Sequence, residues 1–128
     1  MELFYIGRFG QIKIQNMKQE QLIINIAKQY CETPGAREIE EGHYSGEDFL
    51  QKILKPKFEE AVKKNTTLLI DLDETEGYAT SFLEEAFGGL ARLFSPETVL
   101  KTLMFKCLDE PLLDEEIKTY IREANVAA

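Results

Sequence analysis

The chain has 128 residues, enough for one domain with a sizeable core and too few for two domains joined by a linker. Its 23 acidic residues against 15 basic ones give a formal net charge of −8, which argues against a general grip on nucleic-acid phosphates or on an anionic membrane surface. At 44% hydrophobic and 30% charged residues, with apolar runs only a few residues long, the composition is that of a soluble globular chain, not a disordered or membrane-spanning one.

The first thirty residues favour strands. Glu2-Leu3-Phe4-Tyr5-Ile6, the turn material from Gly7 to Gly10 and the alternating Gln11-Ile12-Lys13-Ile14 read as an N-terminal β-hairpin. Leu22-Ile23-Ile24-Asn25-Ile26 is β-branched enough for a third strand, although the Lys, Gln and Glu between Met17 and Tyr30 also suit a helix. Pro34-Gly35 marks a turn and Gly42 to Gly46 a second loop. Ser45 is then a helix N-cap, followed by Glu47 and Asp48, whose charges complement the helix dipole. Phe49, Leu50, Ile53, Leu54, Phe58, Ala61 and Val62 recur at helical spacing, and Pro56, which has no N–H, is expected to kink or split that helix near Leu54.

Thr67-Leu68-Leu69-Ile70-Asp71-Leu72 is a short apolar run bounded by polar residues, the pattern of a strand at the centre of a sheet. After a loop from Asp73 to Thr80, a strongly apolar helix runs from Ser81 to about Phe94. Its Gly88-Gly89 pair costs helix propensity and is expected to let the helix approach the sheet closely. The stretch from Val99 to Cys107 supplies another strand in Thr102-Leu103-Met104-Phe105-Lys106-Cys107, and Asp114 to Ala124 a final amphipathic helix. Helices crossing between apolar strands imply an α/β fold with a mixed, partly parallel sheet and helices packed mainly on one face.

Two places on this framework can carry chemistry. Asp71-Leu72-Asp73-Glu74-Thr75, at the end of the central strand, matches the DxDxT pattern of haloacid dehalogenase-like phosphatases. There Asp71 would be a nucleophile and Asp73 a general acid beside Mg²⁺, at the carboxyl end of a strand where α/β sheets hold their sites. Such an enzyme also needs a lysine and further carboxylates on later strands, and the chain has room for about one more strand. The alternative is a solvated acidic loop.

The second place is Ser81. Ser81-Phe82-Leu83-Glu84 reads as a capping box, and a serine at a helix start is also a position where a phosphate is tolerated. Glu74, Glu76, Glu84 and Glu85 nearby would make such a phosphate repulsive to a partner. Other residues offer less. A single histidine, His43, and two cysteines, Cys31 and Cys107, leave little for a zinc site or a disulfide framework. Arg37 and His43 read as solvated loop residues, and neither thiol has an adjacent cationic cluster. The low cysteine count and the absence of a charged segment leading into a long apolar one point to the cytoplasm.

Pro34-Gly35-Ala36-Arg37, Ser45-Gly46-Glu47-Asp48-Phe49-Leu50, Leu54-Lys55-Pro56 and the run from Gly77 to Leu90 together resemble the bacterial STAS-like domain family of unknown function. That family is similar in turn to the STAS domains of anti-sigma factor antagonists. In those antagonists a serine at a helix start is phosphorylated by a partner kinase of the histidine-kinase-like ATPase fold. The resemblance aligns the antagonists' Asp-Ser-Ser-Gly-Leu pattern with Ala79-Thr80-Ser81-Phe82-Leu83, placing Ser81 on the switch serine and Thr80 on its neighbour, with Ala79 and Phe82 departing from the pattern.

The expectation is a single STAS-like domain over residues 1–128, with N-terminal strands over 1–33, the family's characteristic region over 34–94 and a C-terminal strand and helix over 95–128. Its expected role is a non-enzymatic interaction module that takes no cofactor, binds a protein partner and avoids nucleic acid and membrane. Ser81, Thr80, Asp71, Asp73 and Glu84 are its candidate site residues, and the Mg²⁺-dependent phosphatase is the alternative.

Overall fold

The computed structural model describes residues 21–35 and 44–124. The N-terminal hairpin expected over Glu2–Ile6 and Gln11–Ile14 lies outside the described residues, as do Arg37 and His43.

Three strands, β1 (Leu22–Asn25), β2 (Leu68–Asp71) and β3 (Leu103–Lys106), form a sheet of order β1-β2-β3. Among the described residues both pairings are parallel, where a mixed sheet was expected. The register aligns Leu22 with Leu68 and Leu103, and Ile24 with Ile70 and Phe105. Because successive side chains alternate between faces, these six lie on one face, where they join the core with the helices. Ile23, Leu69 and Met104 share a row on the opposite face, and the outer two are half exposed.

Helix α1 (Ile26–Gln29) follows β1 directly. The expected cap at Ser45 is present: its hydroxyl accepts the N–H of Asp48 at 3.0 Å and opens α2 (Gly46–Phe49). The helical path continues through a π-helical segment (Leu50–Leu54) into α3 (Lys55–Lys63). The split expected near Leu54 takes this form: the N–H of Lys55 reaches the carbonyl of Leu50, one residue further back than in an α-helix. Pro56 sits in the first turn of α3, where its missing N–H costs least.

The second helical run consists of α4 (Thr80–Leu83), a π-helical segment (Glu84–Gly88) and α5 (Gly89–Phe94). It is followed by α6 (Pro96–Thr102), β3 and α7 (Leu113–Arg122). Thr102, expected to open the strand β3, is the last residue of α6 instead. Ser95 caps that helix by accepting the N–H of Thr98, and Pro96 pre-sets its first turn.

Phe49, Phe58, Phe82 and Phe87 are fully buried between the two helical runs and the sheet. The Phe49 ring centroid lies 5.6 Å from that of Phe82, and Phe87 lies edge-on to Phe105 at 5.8 Å. Each buried phenylalanine contributes about 1.5–3 kcal/mol of apolar transfer free energy.

The glycine pair does not serve the sheet. A Cβ on Gly89 would meet Leu50 Cδ2 at 2.8 Å, and one on Gly88 would meet the Glu84 carboxylate, so the pair lies against the first helical run and its own helix. The closest backbone approach is at Gly46, where a Cβ would stand 2.6 Å from the carbonyl oxygen of Phe82. Small residues are needed where the two helical runs meet.

Candidate functional site

Each strand ends in a polar residue, and the register brings the three together: Asn25, Asp71 and Lys106 stand side by side at the carboxyl edge of the sheet. The Asn25 amide donates to Asp71 Oδ2 at 3.1 Å, while the N–H of Asp73 turns back onto Asp71 Oδ1 at 3.1 Å. Lys106 Nζ lies 2.8 Å from Asp73 Oδ2 and 3.7 Å from Asp71 Oδ1. The other Asp73 oxygen accepts the N–H of Asp109 at 2.9 Å, and Asp109 in turn accepts the N–H of Glu74 at 2.9 Å. This lattice of bonds ties the β2–α4 loop to the β3–α7 loop.

Its electrostatics follow from those partners. Burial pushes the Asp73 carboxyl up, but the N–H of Asp109, the Lys106 ammonium and the N–H of Leu108 outweigh it, so Asp73 titrates below its ordinary range. Lys106 is held above its ordinary value, first by its hydrogen bond to Asp73 and further by the charges of Asp71, Asp73 and Glu74. Among the described residues no group of three or more His, Cys, Asp or Glu is arranged to hold a metal ion. The carboxylates of the DxD motif are already engaged by a lysine, an asparagine and backbone N–H groups.

The helix after this loop begins one residue earlier than expected, at Thr80. Ala79 is the N-cap, with extended backbone at φ −70°, ψ 140° and no side-chain cap bond. Ser81 is therefore the second helical residue, and its capping box with Glu84 does not form. Glu84 instead pairs with Arg92 at 2.9 Å, and Glu85 lies 3.8 Å from the same guanidinium.

The two neighbouring hydroxyls differ in exposure. Thr80 is exposed, and the Tyr120 hydroxyl of α7 donates to Glu116 Oε2 at 2.6 Å. The partly exposed Ser81 hydroxyl makes only a long contact, 3.5 Å, to the Gly35 carbonyl. Tyr78 anchors the end of the loop. Its hydroxyl donates to the Leu72 carbonyl at 2.8 Å, and burial first, then Asp71, Asp73 and Glu110, raises its pKa against the opposing bond from Thr75.

Of the five candidate site residues, Asp71 and Asp73 share the sheet-edge cluster, and Thr80, Ser81 and Glu84 share the helix start at the far end of the loop. The acidity attributed to this region is partly cancelled: Lys106 faces both aspartates, Lys28 lies 3.8 Å from Glu74, and Arg92 serves Glu84 and Glu85. Both cysteines are free; Cys31 is buried and Cys107 partly so. Sequence reasoning did not single out Asn25 and Lys106. The available signal was the shared form of the three strands, LIIN, LLID and LMFK, three apolar residues and then a polar one.

The two loops enclose a cleft of about 230 Å³ lined by Leu72, Thr75, Glu76, Gly77, Asp109, Glu110 and Leu113. A parallel sheet with helices on its apolar face, and its polar groups and cleft at the carboxyl edge, defines an α/β domain of STAS-like architecture. Residues 45–113 match the family described as STAS-like domain of unknown function (DUF4325), and the chain belongs to that family. Comparisons with curated proteins and with solved structures gave no match. No helix among the described residues is long and apolar enough to cross a membrane.

Proposed function

We propose that this chain is a non-enzymatic regulatory module that binds a protein partner through the surface around Thr80 and Ser81, and that phosphorylation of Ser81 by an ATPase-type serine kinase switches that binding. The observation that carries the reading is the state of the Ser81 hydroxyl: partly exposed, at a helix start, and free of any capping duty. A phosphate added there breaks no strong hydrogen bond, and it adds nearly two negative charges to a surface that partners must approach. Thr80 is exposed as well, and Ser81 is preferred to it because the resemblance aligns Ser81 with the switch serine.

The direct test compares wild type, Ser81→Ala and Ser81→Glu for the proteins that co-purify with each from the native host. The proposal expects the glutamate to lose a partner that the alanine keeps. Identical recovery with all three would sink it.

A second reading has one observation in its favour. The lysine that a haloacid dehalogenase-like phosphatase requires is present in Lys106, at the end of the strand next to Asp71 and Asp73. Against it, a general acid must hold a proton near neutral pH, and Asp73 is driven toward its ionised form. Phosphate release from an aryl phosphate with Mg²⁺, abolished by Asp71→Asn, would reverse the order of the two readings.

A further inference from the structure

We propose that the cleft between the β2–α4 and β3–α7 loops receives a lysine or arginine side chain of a protein partner, with Leu108 and Leu112 as apolar contacts at its edge. The cleft has two kinds of wall. Leu72 and Leu113, 2% and 8% exposed, give it an apolar floor, while Glu76, Asp109 and Glu110 contribute exposed acidic groups to its lining. A side chain with a hydrocarbon stem and a cationic head satisfies both walls at once. An acidic or phosphorylated peptide would meet three like charges.

The carboxylates of this cleft are available for such a partner. Lys106 is committed to Asp71 and Asp73, and Lys28 lies beside Glu74; among the described residues no cation lies within ion-pair distance of Glu76 or Glu110. The β3–α7 loop adds apolar area. Leu108 is 75% exposed and Leu112 82%, and they bracket Asp109 and Glu110 in sequence. Exposed apolar residues flanking a charged cleft are the makings of an interface: anchors for affinity, charge for selection. A small free cation would leave both leucines uncovered, so the occupant is a peptide segment that carries apolar residues beside its Lys or Arg.

The inference rests on the reading of the chain as an interaction module but not on phosphorylation of Ser81. The test therefore carries the two separately. Short synthetic peptides with arginine flanked by leucine are titrated into the isotopically labelled full chain, beside matched peptides with glutamine or glutamate for arginine, and beside free arginine amide. The cleft predicts amide shifts at Thr75, Gly77, Asp109 and Glu110 with the arginine peptides. It also predicts affinity lower by roughly tenfold in Glu76→Gln/Glu110→Gln and in Leu108→Ser/Leu112→Ser. All four substituted side chains are exposed, so the variants keep the fold, which their amide spectra verify.

No binding by any arginine peptide, equal binding of the glutamate peptides, shifts confined to other surfaces, or affinity unchanged in both double variants would each overturn the proposal. Free arginine amide binding as tightly as the peptides would overturn the protein partner in favour of a small cation. Ser81→Ala is run alongside. Unchanged peptide binding in that variant supports a cleft independent of the switch, and failure of the peptides leaves the Ser81 test standing on its own.

Discussion

Lys106 reaches from the end of β3 to Asp73 in the loop after β2, its Nζ 2.8 Å from Oδ2. Asp73 is buried, whereas the Lys106 side chain keeps 43% of its surface in solvent. The pair is thus a screened lysine holding a desolvated carboxylate, and its worth lies in positioning: it keeps the two loops of the cleft together.

This arrangement predicts the titration of Asp73. Its folded-state pKa is lowered from an ordinary 3.8, so the stability it contributes is complete above that value and is lost as pH falls through the lower folded-state pKa. Lys106 has the opposite sign. Its contribution is complete below 10.5 and disappears as pH rises through its higher folded-state pKa. Carboxyl-carbon NMR on Lys106→Met is expected to show Asp73 titrating at higher pH than in wild type, with acid unfolding beginning earlier. An unchanged Asp73 midpoint would remove Lys106 from its role.

Ser45 and Ser81 make a paired prediction, since both look like N-caps in sequence and only one is. Ser45→Ala removes the acceptor for the Asp48 N–H and is expected to cost about 1 kcal/mol. Ser81→Ala breaks only a long contact to Gly35 and is expected to change stability by less than about 0.5 kcal/mol. Urea unfolding of the two variants checks the contrast, and equal losses would restore the capping box at Ser81.

The glycines separate in the same way. Gly46→Ala drives a methyl against the Phe82 carbonyl, a backbone atom that cannot move aside alone, and is expected to cost about 1–3 kcal/mol. Gly88→Ala meets the end of the Glu84 side chain, which can swing away, so the gain in helix propensity of about 1 kcal/mol offsets most of that contact. Thermal unfolding should rank Gly46→Ala well below Gly88→Ala.

Local chemistry made much of this fold legible. The apolar runs at Leu22, Leu68 and Leu103 mark β1, β2 and β3, and the serine followed by acidic residues at Ser45 marks a real cap. The same local grammar misplaced the cap at Ser81. The helix there starts one residue earlier, with Ala79 as its N-cap, and Glu84 turns forward to Arg92 along its own helical run instead of back to the helix start. The site was half legible. Asp71 and Asp73 stand in a recognisable motif, but Asn25 and Lys106 become their neighbours only through the parallel register. The role assigned to Gly88-Gly89 failed because glycine spacing shows that something approaches closely, not which element does.

The central claim is that Ser81 is the modified residue of a switch, and intact-mass measurement with peptide mapping on protein purified from its native host tests it most directly. The account predicts a single phosphate mapped to Ser81 in at least one growth condition, with Thr80 unmodified. A phosphate found only at Thr80, or an unphosphorylated Ser81 in every condition sampled, would contradict it.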